Sequence, residues 1–431
     1  MKRTTLRRRI SAAICGAILS PLGLVGASAS SPAEAQTTLL GAIDAGNPLI
    51  DLRLRYENVD QANKPRNAAA TTFRARLGYQ TGQYFGFSAL GEFDFVQHLG
   101  PRHYFDSIGG GSSALYPTVA DPDLTALNRL QLTYSARIWD AAGANNTQDL
   151  RISLGRQRLS LGNERFVGNA GWRQHEQTYD SVSLVDTSLP ATTLTYAYIT
   201  RVNRVFGPNS PMGSFDSHSH LFNAIYAGLM PYLRLEGYAY LLDLRQSPTL
   251  STATYGLRGD GSVDLGLGLN GILNAAYARQ SDYAKNPLSI GLSYYLGEAG
   301  VGYQGATALA GYEVMEGSGA IGFSTPLASL HPFAGWADVF LTTPVNGIKD
   351  FYLKGSYGFA ATPLFAKVTA IAAYHDFSAE HMSANYGNEW DAQVEAAVDA
   401  HLTLGAEYAA FQGATPLPDK NVGWLYVRYV Y

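Results

Sequence analysis

Cysteine is almost absent: Cys15 is the only one in 431 residues. It lies in a basic and then apolar start, Lys2, Arg3, Arg7, Arg8 and Arg9 followed by the apolar run 10–25, with Ala33-Glu34-Ala35 as an A-x-A cleavage site. That pattern predicts a secretory signal over 1–35 and one mature domain over 36–431. The mature part then has no disulfide, so a large core or a lipid bilayer must stabilise it. No run of 18 apolar residues follows the signal, which excludes helical membrane spans. Charge is sparse too, at 15% Asp, Glu, Lys and Arg. With 1–35 removed, 26 basic residues face 34 acidic ones, so nucleic acid is not an expected partner. Neither a cofactor nor a metal site is expected.

What is abundant is aromatic: 28 tyrosines and 18 phenylalanines, beside 45 glycines. They recur with period two. Residues 50–57, IDLRLRYE, set Ile50, Leu52, Leu54 and Tyr56 against Asp51, Arg53, Arg55 and Glu57. Residues 73–80, 85–94 and 129–138 repeat the alternation, which is the signal of a strand with one apolar face. The final stretch 424–431, WLYVRYVY, ends on an aromatic, like the sorting strand of an outer-membrane barrel. A soluble sandwich would need a second sheet over the apolar faces, whereas a transmembrane barrel covers them with lipid. The reading is therefore all-β, a transmembrane antiparallel up-and-down β-barrel of about 18 strands, with 16 as the alternative count. The strands expected are 49–58, 71–81, 84–96, 127–139, 149–158, 177–186, 191–202, 218–229, 232–243, 252–258, 263–280, 288–296, 300–316, 350–360, 364–376, 389–399, 403–411 and 420–431. Thr81-Gly82-Gln83, Met230-Pro231, Gly259-Asp260-Gly261 and Ala361-Thr362-Pro363 are expected as short periplasmic turns. Segments 97–126, 159–176, 203–217 and 317–349 are expected as long external loops.

Arginine is unevenly spread. Of 20 arginines beyond the signal, 18 fall between Arg53 and Arg258. Arg53, Arg55, Arg74, Arg76, Arg129 and Arg137 sit on polar strand faces and are expected to line the lumen, since arginine facing lipid at mid-membrane costs about 2–4 kcal/mol. Two readings stand: lumen charges paired with acids to stiffen the wall, or a positive constriction for anions. Arginine suits the second, because its planar fork meets a carboxylate in two parallel bonds and keeps its charge.

The stretches GRQRLSLGNERFVGNAGWRQHEQTYDSV (155–182), LPATTLTYAYITRVNRVFG (189–207) and GFSTPLASLHPFAGWADVFLTTPVNGIKDFYL (322–353) resemble the alginate-export family of outer-membrane barrels. The resemblance implies an eighteen-stranded barrel passing anionic polysaccharide, with Arg156, Arg158, Arg165 and Arg173 lining the pore. Uptake of acidic oligosaccharides or small anions fits the same lumen.

The apolar segment 324–345 is expected either to fold inward as a helix-bearing plug carrying His331, Trp336 and Asp338, or to pack on the rim. Asp216-Ser217-His218-Ser219-His220 reads as ordinary loop-to-strand sequence before a metal or catalytic site. The leading expectation is a passive, non-enzymatic channel of the Gram-negative outer membrane. Its partners would be membrane lipid, an anionic poly- or oligosaccharide, and the barrel-assembly machinery through the last strand. The alternatives are an outer-membrane enzyme of lipase or protease type, and a structural or adhesive barrel with a blocked lumen.

Overall fold

The computed structural model describes residues 37–137 and 149–431; the expected signal segment lies outside the described residues. Eighteen antiparallel strands form one sheet that closes on itself, which settles the count against sixteen. A short helix, α1 (Leu39–Asp44), precedes them. The first strands are β1 (Asn47–Gln61), β2 (Ala68–Gln80), β3 (Phe87–His98), β4 (Leu124–Ala136), β5 (Leu150–Gln157) and β6 (Thr178–Asp186). Then come β7 (Thr192–Asn203), β8 (Ser214–Met230), β9 (Leu233–Leu241), β10 (Thr252–Gly266), β11 (Leu269–Asp282) and β12 (Gly291–Tyr303). The last are β13 (Ala306–Met315), β14 (Ile348–Phe359), β15 (Lys367–Ser378), β16 (Asn385–Ala397), β17 (Leu402–Gly413) and β18 (Lys420–Val430). Each strand pairs with its neighbours in sequence, and β1 pairs with β18 from Asp51↔Val430 to Gln61↔Lys420.

Period two places the apolar residues outside. Leu257, Leu273, Leu353, Val394 and Leu425 are exposed there, although the same strands bury their polar faces. Aromatic side chains flank this belt, with Tyr255, Tyr277, Tyr295, Tyr312 and Tyr408 toward the long loops and Phe87, Tyr134, Tyr226, Tyr303 and Tyr357 toward the short turns. An apolar band between two aromatic girdles around a polar interior is the architecture of a Gram-negative outer-membrane barrel, and that is where this chain belongs.

Two expected turns are corrected. Gly259-Asp260-Gly261 lies inside β10, paired with Ala275, Asn274 and Leu273 of β11. The real reversal is Leu267-Gly268, with φ of 54° and 80°. Both central residues of such a two-residue turn need positive φ, and here leucine adopts it beside a glycine. Asp260 stays in the strand because its carboxylate pairs with Arg258 at 2.6 Å and Arg234 at 3.0 Å across the lumenal face. Likewise the break expected after residue 296 falls within β12, and the chain turns at Gln304-Gly305.

The long connections gather at one end, while both the first and last strands meet the short turns at the other. Loops 158–177 and 316–347 fold into the barrel. There Trp172, Phe323 and Trp336 join Phe377, Phe411 and Trp424 of the wall in one buried cluster. A parallel bridge, Val167↔Leu327, ties the two loops together.

Candidate functional site

Strand order alone brings a set of arginines together. Arg53 of β1 lies opposite Arg428 of β18 on one side and Arg74 of β2 on the other. Like charges directly opposite are destabilising unless acids intervene. Asp51 intervenes: it accepts a close hydrogen bond from Arg74 and pairs with Arg428 at 2.9 Å. Arg76 pairs with Asp94 at 2.5 Å and Glu176 at 3.5 Å, and Arg129 with Glu92 at 2.7 Å. This wall of β18 and β1–β4 is thus a lattice of guanidinium and carboxylate.

Arg53 has a different partner. It donates to the carbonyls of Trp172 at 2.8 Å and Arg173 at 2.6 Å, and to Gln174 Oε1 at 2.9 Å. Arg55 donates to the Trp172 carbonyl at 2.6 Å and to Asp121 of loop 99–123. Backbone carbonyls buried in a loop must find donors, and here the wall arginines supply them. These two arginines therefore pin loop 158–177 inside the barrel.

The arginines of that loop do the same in reverse. Arg158 lies 3.6 Å from Glu92 of β3 and donates to Glu176 of its own loop at 2.6 Å. Arg165 spans to β13 and holds both Glu313 oxygens at 2.9 Å. Arg173 pairs with Asp338 at 2.6 Å and Glu57 at 3.4 Å. Burial works to raise the Glu176 carboxyl, yet Arg158 and then Arg76 outweigh it and hold it at about 2.

Arg156 corrects the expectation drawn from the resemblance. It pairs in register with Leu130, an exposed residue of the lipid-facing side, and its fork meets Asp180 at 2.7 Å. Asp180 stands opposite Arg201, which meets Asp216 at 3.4 Å, so these four charges form an outward-facing row. The row sits at the long-loop ends of β5–β8, where a charge on the outer face costs only about 0–1 kcal/mol. Arg137 lies just past the short-turn end of β4 and is exposed.

Loop 316–347 folds inward, but without the helix expected of it. His331 stacks on Trp172 with centroids 4.4 Å apart and planes at 4°. Its Nδ1 faces Asp338 at 3.0 Å and its Nε2 faces Glu407 of β17 at 2.9 Å. Burial alone would lower its pKa, but the two carboxylates overcome this and raise it to about 9. Asp338 is held well below its ordinary range: burial opposes this, and His331 with Arg173 outweighs it. Trp336 is buried, and the neighbouring Ala337 N–H donates to Glu389 at 2.7 Å. On the β9–β11 side the loop 158–177 seals against the wall. Phe166, Glu236, Arg258 and Tyr294 leave a cavity of about 10 Å³ there, room for about one water.

Exposure separates the structural arginines from those that meet lumenal water. The side chains of Arg55, Arg74 and Arg76 are 0%, 1% and 4% exposed, whereas Arg129, Arg158, Arg428 and Arg234 reach 15%, 23%, 27% and 36%. Opposite them, β12–β17 carry Glu298, Glu313, Asp350, Asp391, Glu395 and Glu407, with Lys354 among them. The interior thus has a basic wall and an acidic wall.

No family model and no curated protein matches the chain, so the alginate-export resemblance gains no support from those comparisons. Solved structures do match. OccK1 (OpdK) of Pseudomonas aeruginosa aligns at 13% identity with a TM-score of 0.65, over 89% of this chain and 98% of that one. OccK9 (OpdG) of the same organism gives 15% and 0.69, over 90% and 99%. OccAB2 of Acinetobacter baumannii gives 15% and 0.69, over 91% and 99%. OpdK has also been solved with vanillate. The barrel is porin-like.

Within that barrel, sequence reasoning missed Arg428 and the acidic wall. Arg428 was hidden because it interrupts the terminal aromatic strand. The signal was its place between Val427 and Tyr429, which alternation puts on the lumenal face. His218 and His220 share the outer face, where their Nδ1 atoms meet the hydroxyls of Tyr198 at 2.7 Å and Tyr196 at 3.0 Å.

Proposed function

We propose that the chain is a passive outer-membrane channel selective for small organic anions, with its long loops outside and β18 read by the barrel-assembly machinery. One observation carries this: Arg129, Arg158 and Arg428 hold partly exposed guanidinium groups along one lumenal wall, fixed from behind by buried carboxylates. An ion pair at 4 Å is worth roughly 1 kcal/mol in water and about 4 at an effective dielectric near 20. Several such modest sites let an anion move on, where a single tight one would trap it. The vanillate bound by one structural neighbour supports a ligand of that kind. The inward loops 158–177 and 316–347 narrow the passage, which favours small anions over an alginate-like oligo- or polysaccharide.

Planar bilayers with a salt gradient test the reading. Anion-selective reversal potentials are expected; cation selectivity would sink it, and no conductance would favour a blocked, structural barrel. Liposome swelling separates the substrates. Small carboxylates should enter faster than acidic oligosaccharides, and the opposite order would return the polysaccharide reading.

A further inference from the structure

We propose that α1 is a lipid anchor: Leu39, Leu40 and Ile43 insert into the membrane leaflet on the short-turn side, beside the outer foot of β2 and β3. The helix is one and a half turns of sequence LLGAID, begun by Thr38, whose hydroxyl accepts from Gly41 N–H at 3.0 Å. Only Ala42 is buried; Leu39, Leu40 and Ile43 are 61%, 73% and 42% exposed.

The helix is fixed against the barrel at named points. Gly82 N–H donates to the Ala42 carbonyl at 2.8 Å, and Tyr79 O–H donates to the Ile43 carbonyl. Gly46 allows the chain to lie against Tyr79, since a Cβ there would meet the hydroxyl at 2.5 Å. Tyr79 belongs to the outer face of its strand, in the same row as Leu77, which pairs with the exposed Phe93. α1 is therefore docked on the lipid-facing flank of the rim.

Its exposed side chains continue the belt. The next turn presents Phe85, 70% exposed, and Phe87, whose ring meets Tyr134 of the lower girdle at 4.8 Å. Exposed apolar side chains of this kind, on a helix held at the lipid-facing rim, fit acyl chains. Aromatic and apolar groups at the girdle level are where membrane anchors sit.

Nitroxide accessibility tests this directly, because the described residues contain no cysteine. Leu40→Cys and Ile43→Cys are made separately in the otherwise intact protein, labelled, and reconstituted in phosphatidylcholine vesicles. Leu273→Cys in the belt and Asn63→Cys in an exposed loop serve as references. Labels at 40 and 43 should collide with oxygen in preference to a water-soluble nickel chelate, with a ratio near that of position 273 and several-fold above position 63. A ratio matching position 63 overturns the proposal. Strong spin–spin broadening that disappears on dilution with unlabelled protein also overturns it, since the patch would then be covered by a second copy.

Discussion

At the scale of single residues, the arginines of 155–174 divide by where their side chains point, which composition cannot tell. Arg158→Gln should shift the reversal potential toward cations, while Arg156→Gln should leave it unchanged, because Arg156 faces outward toward Asp180. An equal shift from both in bilayer recordings would contradict this placement. Arg165 has a different role. Its fork is buried on Glu313, and Arg165→Met strands a buried carboxylate at a cost of about 3–5 kcal/mol. A lower unfolding midpoint in detergent, together with noisier open-channel current, is the expected record. His331 supplies a pH dependence whose sign follows from its raised pKa. The latch to Asp338 and Glu407 contributes fully below the ordinary value of 6.5 and is lost as pH climbs through about 9. Hydrogen exchange in 316–347 should therefore quicken between pH 7 and 10 beyond its intrinsic rate, and His331→Gln should remove that excess.

At the scale of elements, the strands were legible because a lipid-facing strand writes its two faces into alternate residues, as 50–57 does. Turns were legible only where glycine or proline stood between strands. Gly259-Asp260-Gly261 carried the turn signature but is strand, since Asp260 is a lumenal partner of two arginines. Gly268→Ala should then destabilise by about 1 kcal/mol, as its φ is 80°, whereas Gly259→Ala, with Leu235 at an ordinary 3.6 Å, should be nearly neutral. Urea titration of the folded barrel would decide between the two positions. The site was less legible than the fold. Alternation from Arg151 already sets Ser153 and Gln157 inward and Arg156 outward, so strand period would have corrected the family resemblance. The partners of the loop arginines were not readable: Glu313 is 148 residues from Arg165 and Asp338 is 165 from Arg173, pairs that only the inward fold creates.

At the scale of the whole molecule, the loops 158–177 and 316–347 form an internal body suspended from the wall by arginine, histidine and backbone contacts. Removing 325–338 should open the passage, raising conductance severalfold and weakening selectivity, because Trp336, His331 and Asp338 leave together. Single-channel recording measures both, and an unchanged conductance would mean the path runs elsewhere. The seam between β1 and β18 has a consequence in time as well as in space. Asp51, near the start of the barrel, shares its carboxylate between Arg74 and Arg428, 377 residues apart from the latter. Until the final strand arrives, Asp51 lacks the Arg428 guanidinium and is held on the Arg74 side alone. The pairing of Asp51 is thus complete only once the last strand has closed on the first.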